Sequence, residues 1–188
     1  FKAEHHLLDY DDLLFGLERL LADPSGPAAL VRQRHRYLMV DEYQDTNKVQ
    51  ARLTRLLAPE GGNVMAVGDD AQSIYAFRGA SVDNILDFPS IFPGTTVIKL
   101  ERNYRSTQPI LNLTNAILDG AGRKFEKRLF TTREDGPTPQ YMRPFSDLTQ
   151  AAMVAAKVRE LSAEFPLHEI AVLFRAGYQS FPLEVELG

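Results

Sequence analysis

The sequence predicts an α/β fold in which parallel sheets are flanked by helices. Three short apolar runs, at residues 37–40, 64–67 and 96–100, have the length and composition of buried strands. Segments with apolar residues at helical spacing lie between them, and this alternation favours a parallel sheet with helices on its faces. Polar clusters follow each run, and ligands of such sheets bind beyond the carboxyl ends of the strands. The pattern therefore indicates a ligand-binding crevice at those ends.

The composition excludes several classes of protein. The 188 residues suit one or two domains, and the hydrophobic fraction of 44% is ordinary for a globular core. There is no cysteine, which excludes disulfides and thiolate metal sites and is consistent with a cytoplasmic protein. No apolar run approaches the length of a membrane span, so we expect no membrane partner. The net charge of −4 disfavours a broad basic face, so any nucleic-acid contact should be local.

The chain is expected to begin with a helix and then a strand. Residues 7–21 carry leucines on one helical face, with Asp9 as the N-cap and Asp12 three positions later. Residues 37–40 form a continuous apolar run, which predicts a strand buried on both faces.

A helix, a strand and a short helix are expected next. Residues 47–58 predict the helix, which the glycine pair at residues 61–62 should end in a left-handed conformation. Residues 64–67 predict the strand. Ser81 is expected to cap the short helix, which is broken by two prolines, Pro89 and Pro93.

The pattern restarts after the third apolar run, which places a domain boundary near residues 101–103. Ser106 or Thr107 should cap the next helix, whose inner face is expected to carry Ile110, Leu113 and Ile117. Residues 150–165 predict a further helix, and residues 169–174 predict a buried strand.

Two adjacent carboxylates, Asp41 and Glu42, follow the first predicted strand. In nucleotide hydrolases an Asp at this place helps to hold Mg²⁺, and a neighbouring acid can orient or deprotonate the attacking water. A purely structural interpretation is the start of a helix, because three good capping residues come next, Asp45, Thr46 and Asn47. Both interpretations can hold at once.

Three motifs in a fixed order carry a resemblance to a known family. They are VDEYQDTN at residues 40–47, VGDDAQSIYAFRGA at residues 67–80 and ERNYRST at residues 101–107. Together they resemble motifs II, III and IV of the UvrD/Rep/PcrA-like superfamily one DNA helicases, and the resemblance extends over residues 8–187. It implies partial RecA-like (P-loop NTPase) motor domains. Residues 1–101 would be the C-terminal part of the first, and residues 102–188 the N-terminal part of the second.

The resemblance implies a role for each residue of a nucleotide site, with ATP and Mg²⁺ as cofactors. Asp41 would bind Mg²⁺, and Glu42 would be the base for the water that attacks the γ-phosphate. Gln72 resembles the γ-phosphate sensor, since an amide can hydrogen-bond phosphate without adding charge. Arg105 resembles an arginine finger, because a guanidinium is a permanently charged planar fork for phosphate oxygens. Tyr104 resembles the residue that stacks on the adenine.

Structural alternatives exist for the residues of this predicted site. Gln72 could be a turn residue, Arg105 a surface cation and Tyr104 a core residue. Asp69 and Asp70 could be turn and cap residues only. Two further residues resemble positions that link the site to neighbouring motifs, Gln44 and Asp45.

Two aromatic residues and a cation follow Gln72 at short spacing: Tyr75, Phe77 and Arg78. Aromatic side chains stack on unpaired bases of any sequence, at roughly 1 to 3 kcal/mol each. In the family this segment contacts single-stranded DNA while its start contacts ATP. Phe77 stands where many relatives have Trp, and Ala71 stands where relatives are often acidic. The alternative is that Tyr75 and Phe77 are core residues.

The 188 residues contain no G-x-x-x-x-G-K-[ST] loop to hold the β- and γ-phosphates, and no helicase motifs V and VI. We therefore expect an internal fragment that is inactive alone and needs those segments. The leading interpretation is an ATP-dependent 3′-to-5′ DNA helicase that translocates on single-stranded DNA and unwinds duplexes and junctions, in DNA repair. The alternatives are a helicase-nuclease subunit of the RecB or AddA kind, or a non-catalytic module that binds single-stranded DNA.

Overall fold

The computed structural model describes residues 2, 4–5, 7–58 and 62–188, and it shows a mixed α/β chain. The chain divides into two compact units, Phe1–Pro137 and Thr138–Gly188. No helix within the described residues is long and apolar enough to span a bilayer. The first unit contains, in chain order, α1 (Tyr10–Ala22), α2 (Ala28–Arg34), β1 (Tyr37–Val40), α3 (Lys48–Leu57), β2 (Asn63–Ala66), α4 (Asp83–Leu86), α5 (Phe88–Ile91) and α6 (Gln108–Asp119). The second unit contains α7 (Asp147–Leu161) and α8 (Phe181–Leu187).

The starts of α1 and α3 are the helix signals that the sequence predicts best. The Asp9 carboxylate accepts a hydrogen bond from the Asp12 backbone N–H at 2.9 Å, and Asp12 accepts one from the Asp9 N–H at 3.0 Å. Asn47 and Gln50 form the same reciprocal capping box at the start of α3. Each such cap is worth about 1 kcal/mol. The predicted glycine stop of α3 includes Gly61, which lies outside the described residues.

A helical core joins the first three helices. Leu21 of α1, Ala28 of α2 and Leu53 of α3 are buried against each other. Neither α2 nor α8 is predicted from the sequence, because both are short and lack a strong apolar period.

The strands β1 and β2 form a two-stranded parallel sheet in which Leu38 pairs with Val64 and Val40 with Ala66. Side chains on one face pack against a core formed by Tyr43, Ile85 and Phe88. Alternate residues on the other face, including Tyr37 and Met39, are exposed. The prediction that β1 is buried on both faces was therefore wrong, because no described element covers the second face.

Two further predicted strands, at residues 96–100 and 169–174, are also absent from the described residues. Within the described residues, neither stretch pairs with a neighbouring strand, Glu169 ends a 3₁₀ turn, and Leu173 is 93% exposed. A strand needs a neighbour for its backbone N–H and C=O groups, and an apolar run alone does not supply one. In the part of the chain that the structure describes, β1 and β2 alone represent the predicted parallel sheets.

The region around α4 and α5 differs from the prediction in its caps. Ser81 contributes only its backbone carbonyl, which accepts a hydrogen bond from the Asn84 N–H at 3.1 Å, and no side chain caps α4. Pro89 does not break a helix but lies in the first turn of α5, where its missing N–H costs nothing.

The inner face of α6 is different from the predicted one. Leu111 is 2% exposed and Asn115 is buried, whereas the predicted inner residues Ile110, Leu113 and Ile117 are exposed. The Asn115 amide accepts a hydrogen bond from the Leu129 N–H at 3.0 Å and donates one to its carbonyl at 2.9 Å. Residues 123–133 therefore cover α6 on the Leu111 side. Because Asn115 on this side is polar, the spacing of apolar residues does not identify this face of α6 as the buried one. Thr107 stands at the N-cap of α6, but its hydroxyl makes no capping hydrogen bond.

Truncation of two neighbouring leucines distinguishes the observed face of α6 from the predicted one. Leu111→Ala should lower the free energy of unfolding by about 2 to 5 kcal/mol, because it leaves a cavity. Leu113→Ala, at a residue that is 48% exposed, should cost less than about 1 kcal/mol. Urea unfolding followed by circular dichroism measures both, and a larger loss for Leu113→Ala would contradict the observed packing.

Candidate active site

The carboxyl ends of β1 and β2 stay joined beyond the last strand pair. The Val67 N–H donates to the Val40 carbonyl at 2.8 Å, and the Tyr43 N–H donates to the Val67 carbonyl at 2.9 Å. The turn that starts at Asp41 therefore lies beside the turn that starts at Asp69. Local sequence at both strand ends predicts this juxtaposition, because the carboxyl ends of parallel strands meet at one edge.

Gln44 bridges the two turns through a fully buried side chain, which is 1% exposed. Its Nε2 donates to Glu42 Oε2 at 2.7 Å, and its Oε1 accepts from the Asp69 N–H at 3.0 Å. Gly68 makes this approach possible, since a Cβ there would lie 2.4 Å from Gln44 Oε1 and 2.7 Å from the Ile85 side chain. Both polar ends of the buried amide are thus satisfied, and the Glu42 carboxylate has a fixed partner.

The backbone at Glu42 is left-handed, with φ 49° and ψ 44°. A residue with a side chain pays roughly 1 to 3 kcal/mol for such a conformation, and such residues cluster at functional sites. Buried Tyr43 holds the next turn in the core, and the Asp41 carboxylate accepts the Glu42 N–H at 2.9 Å. The result is that Asp41 and Glu42 are both exposed at the strand ends.

The turn after β2 is organised by Asp69. Its Oδ1 accepts the Ala71 N–H at 3.0 Å, which caps the 3₁₀ turn Asp70–Gln72. Its Oδ2 accepts the Gln72 side-chain Nε2 at 2.8 Å. Asp69 is therefore a capping residue, which agrees with its interpretation as a turn or cap residue. It also holds the side-chain amide of Gln72.

Lys127 is a member of this site that the sequence did not reveal. Its ammonium group pairs with Asp69 and with Asp70 Oδ1, the latter at 2.6 Å. The Lys127 and Asp70 side chains are 15% and 6% exposed. Lys127 is 58 residues from Asp69, in a basic stretch without periodicity, so no local pattern connects them.

The charges of this cluster reinforce each other. Burial raises the pKa of Asp69, but hydrogen bonds from Lys127 and Gln72 outweigh it, so its pKa is lowered overall. Burial lowers the pKa of Lys127, but hydrogen bonds to Asp69 and Asp70 outweigh it and raise the pKa. The pair is thus charged throughout the neutral range.

Tyr75, Phe77 and Arg78 form an exposed aromatic-cation cluster. The centres of the two rings are 6.0 Å apart, and the Arg78 guanidinium lies 5.2 Å from the Tyr75 ring centre and 5.4 Å from that of Phe77. Phe77 is 69% exposed and belongs to no buried cluster of the described residues. The two ring planes are tilted by 43°, and an exposed aromatic face of either ring can stack on an unpaired base.

Tyr104 and Arg105 lie on a turn that Asn103 organises. The Asn103 side-chain oxygen accepts the backbone N–H groups of Arg105 at 2.8 Å and of Ser106 at 2.7 Å. The Tyr104 ring is exposed rather than in the core, with the Arg102 guanidinium 4.9 Å from its centre. The Arg105 guanidinium has no hydrogen-bond or ion-pair partner within the described residues, so it is available to an anion.

The structure brings together some of the predicted site residues and not others. The turns that carry Asp41, Glu42 and Gln72 are joined through Gln44 and Asp69. No hydrogen bond, ion pair or ring contact within the described residues joins them directly to Tyr104 or Arg105. Residues 123–133 connect the two regions instead. Lys127 binds the Asp69 turn, and the Arg133 side chain donates to the carbonyls of Tyr104 and Arg105 at 3.2 and 3.1 Å.

The oxygen donors at the strand ends suit one kind of metal ion. The described residues contain no group of three or more His, Cys, Asp or Glu side chains that could hold a metal alone. Asp41 and Glu42 are two exposed carboxylates, and Mg²⁺ binds through one or two carboxylates when nucleotide phosphates and water supply the remaining oxygens. The residues therefore fit Mg²⁺ together with a nucleotide, and not a metal site built of protein alone.

Comparison with known proteins gives one family over almost the whole chain. The model of the UvrD/REP helicase N-terminal domain matches residues 2–93, and that of the UvrD-like helicase C-terminal domain matches residues 98–188. The chain is 40% identical over 181 residues to a probable DNA helicase II homolog of Rickettsia conorii, covering 95% of this chain and 28% of the relative. It is 39% identical to DNA helicase II of Escherichia coli and 36% identical to ATP-dependent DNA helicase PcrA of Bacillus subtilis, each over 182 residues. Those matches cover 96% of this chain and 25% of each relative, so the chain spans about a quarter of the length of these curated relatives.

The Lys127 cluster predicts a pH-dependent contribution to stability. The lowered pKa of Asp69 means that the contribution is present above its ordinary pKa of about 3.9 and is lost as the pH falls through the folded value. The raised pKa of Lys127 means that it is present below about 10.4 and is lost as the pH rises through the folded value. Lys127→Met should therefore lower the free energy of unfolding at pH 7 by about 3 kcal/mol, and by less at pH 3, where the contribution of Asp69 is being lost.

Lys157→Met is the matched control, because Lys157 pairs with Glu160 on the exposed surface of α7. It should cost less than about 0.5 kcal/mol at either pH. Urea unfolding of the 188-residue chain measures both variants. An equal loss for Lys127→Met at pH 7 and pH 3 would contradict the assigned charges.

Proposed function

Because the chain belongs to the UvrD/REP helicase family, we propose that it is part of an ATP-dependent DNA helicase. The proposed parent protein translocates 3′ to 5′ on single-stranded DNA, unwinds duplexes and junctions, and acts in DNA repair. The observation that carries the proposal is that the turns bearing Glu42 and Gln72 follow adjacent strands and are linked through Gln44 and Asp69.

The proposed domain assignment follows the two halves of the chain. Residues 1–101 are the C-terminal part of the first RecA-like, ATP-binding domain, and residues 102–188 are the N-terminal part of the second. The change from one family model to the other between residues 93 and 98 supports this division, although the contacts of the isolated chain group residues up to Pro137 into one unit.

Each residue at the strand ends has a proposed task toward ATP. Asp41 holds Mg²⁺, which neutralises charge on the phosphates. Glu42 accepts the proton of the attacking water, and its hydrogen bond with Gln44 occupies Oε2 and leaves Oε1 free for that water. Gln72 contacts the γ-phosphate. Its Nε2 gives one hydrogen to Asp69, so its carbonyl oxygen and second N–H remain for phosphate or water.

Tyr104 and Arg105 are proposed to approach the nucleotide from the opposite side. The exposed Tyr104 ring can stack on the adenine, and the Arg105 guanidinium, which has no partner among the described residues, can bind phosphate oxygens in a planar fork. No hydrogen bond, ion pair or ring contact among the described residues joins either of them to Glu42 or Gln72, so in this proposal a nucleotide between the two turns completes the site.

Single-stranded DNA is the proposed ligand of Tyr75, Phe77 and Arg78. Both rings are exposed, as stacking on a base requires, and the Arg78 guanidinium beside them can bind phosphate or a base face. Gln72 precedes Tyr75 by only three positions in the same stretch of chain. A shift of this stretch on ATP hydrolysis would therefore move the DNA-binding side chains. This movement couples ATP turnover to translocation.

The role of Glu42 is tested by Glu42→Gln in the full-length protein. A glutamine keeps an oxygen for the hydrogen bond from Gln44 but cannot take a proton. ATP hydrolysis should therefore fall by a factor of about 10² to 10⁴, and unwinding should be lost while nucleotide binding persists. Glu134→Gln, at an exposed residue outside the site, should leave hydrolysis unchanged.

Two outcomes would count against this proposal. Unwinding by Glu42→Gln at the rate of the unmutated protein would refute the role of Glu42. The 188-residue chain by itself should show no measurable turnover, because it contains no phosphate-binding loop. DNA-stimulated turnover by that chain would show that the site does not need the loop.

A further inference from the structure

Residues 123–133 hold Lys127 against the turn that carries Gln72. The Phe125 N–H donates to Asp70 Oδ2 at 3.2 Å, so Asp70 receives hydrogen bonds from two residues of this segment. Arg123 anchors the start of the segment through ion pairs with Asp83 and Asp87. After Lys127, the backbone of Leu129 is held by the Asn115 amide. The segment is thus fixed on both sides of Lys127, whose ammonium has little freedom to leave its two carboxylates.

Asp69 divides its two oxygens between different partners. Oδ1 accepts from Lys127 and from the Ala71 N–H, and Oδ2 accepts from the side chain of Gln72. The position of Oδ2 depends on the orientation of the whole carboxylate, which Lys127 constrains from the other side. Without that cation, two adjacent carboxylates, Asp69 and Asp70, would repel each other in a partly buried place and would turn toward solvent.

We propose that Lys127 is a positioning residue that orients the Gln72 amide through Asp69, and so makes γ-phosphate recognition depend on residues 123–133. The inference rests on the proposed function, in which Gln72 contacts the γ-phosphate. In the proposed domain assignment, Lys127 belongs to the second motor domain and Asp69 to the first. Gln72 is then correctly aimed only while the two domains are engaged at this contact.

The neighbouring basic residues of the segment do not share this arrangement. Lys124 donates to the carbonyls of Leu118 and Asp119 at the end of α6, at 2.8 and 3.1 Å, and so caps a helix. Arg123 binds exposed carboxylates that hold no other side chain of the site. Lys127 alone among these three shares a carboxylate with Gln72, and this separates a positioning role from general attachment of the segment.

A double-mutant cycle in the full-length enzyme tests the inference, with DNA-stimulated ATP hydrolysis as the readout. Lys127→Met should lower kcat about 10- to 100-fold, the scale of a misplaced catalytic group, with a smaller change in KM for ATP. Lys127→Arg should restore most of kcat. Gln72→Ala in the Lys127→Met background should add little, because the amide is already misplaced. Lys124→Met, the matched control, should stay within about twofold of the unmutated enzyme.

The outcomes separate this inference from the function on which it rests. Suppose that the unmutated enzyme is active and that Gln72→Ala lowers its kcat. If the fold-losses in kcat of Lys127→Met and Gln72→Ala then multiply in the double variant, the two residues act independently, which overturns the role of Lys127. An unchanged kcat for Lys127→Met overturns it as well. If Gln72→Ala has no effect, the proposed function of Gln72 is wrong and the inference falls with it. Should Lys127→Met fail to fold, Lys127→Gln replaces it in the same cycle.

Discussion

The buried amide of Gln44 is the interaction on which the candidate site depends. A buried amide is costly unless both of its polar ends are paired, and here Glu42 and the Asp69 N–H pair them. That requirement fixes the distance between the two strand ends and demands a glycine at residue 68. The left-handed backbone at Glu42 is then the local strain that places a carboxylate within reach of the amide.

A second polar centre, formed by Lys127 with Asp69 and Asp70, extends the same site toward residues 123–133. The Lys127 and Asp70 charges are largely shielded from water, Asp69 is partly exposed, and the three groups pair with each other, so the turn that carries Gln72 is held from two directions. The chain then continues within a few residues to the exposed aromatic-cation cluster. One short stretch between β2 and α4 thus contains the proposed phosphate contact and the proposed DNA contact, which makes mechanical coupling between them direct.

Local sequence predicts the parts of this structure that local physics determines. The caps at Asp9 and Asn47, the two strands and the polar turns after them all follow from neighbouring residues. The errors concern partners that are distant in the chain. Residues 96–100 form no strand because no neighbour pairs with them, and Leu111 rather than Leu113 faces inward because residues 123–133 cover that side of α6. Lys127 was missed for the same reason.

Hydrogen exchange at the Asp69 backbone amide tests most directly whether Gln44 ties the strand ends together. In the 188-residue chain this N–H should exchange slowly, and Gln44→Leu should remove its protection. The Val67 amide, which donates to the Val40 carbonyl, should remain protected in both proteins and shows that the sheet is intact. Rapid exchange at Asp69 in the unmutated chain, or unchanged protection in Gln44→Leu, would contradict the account.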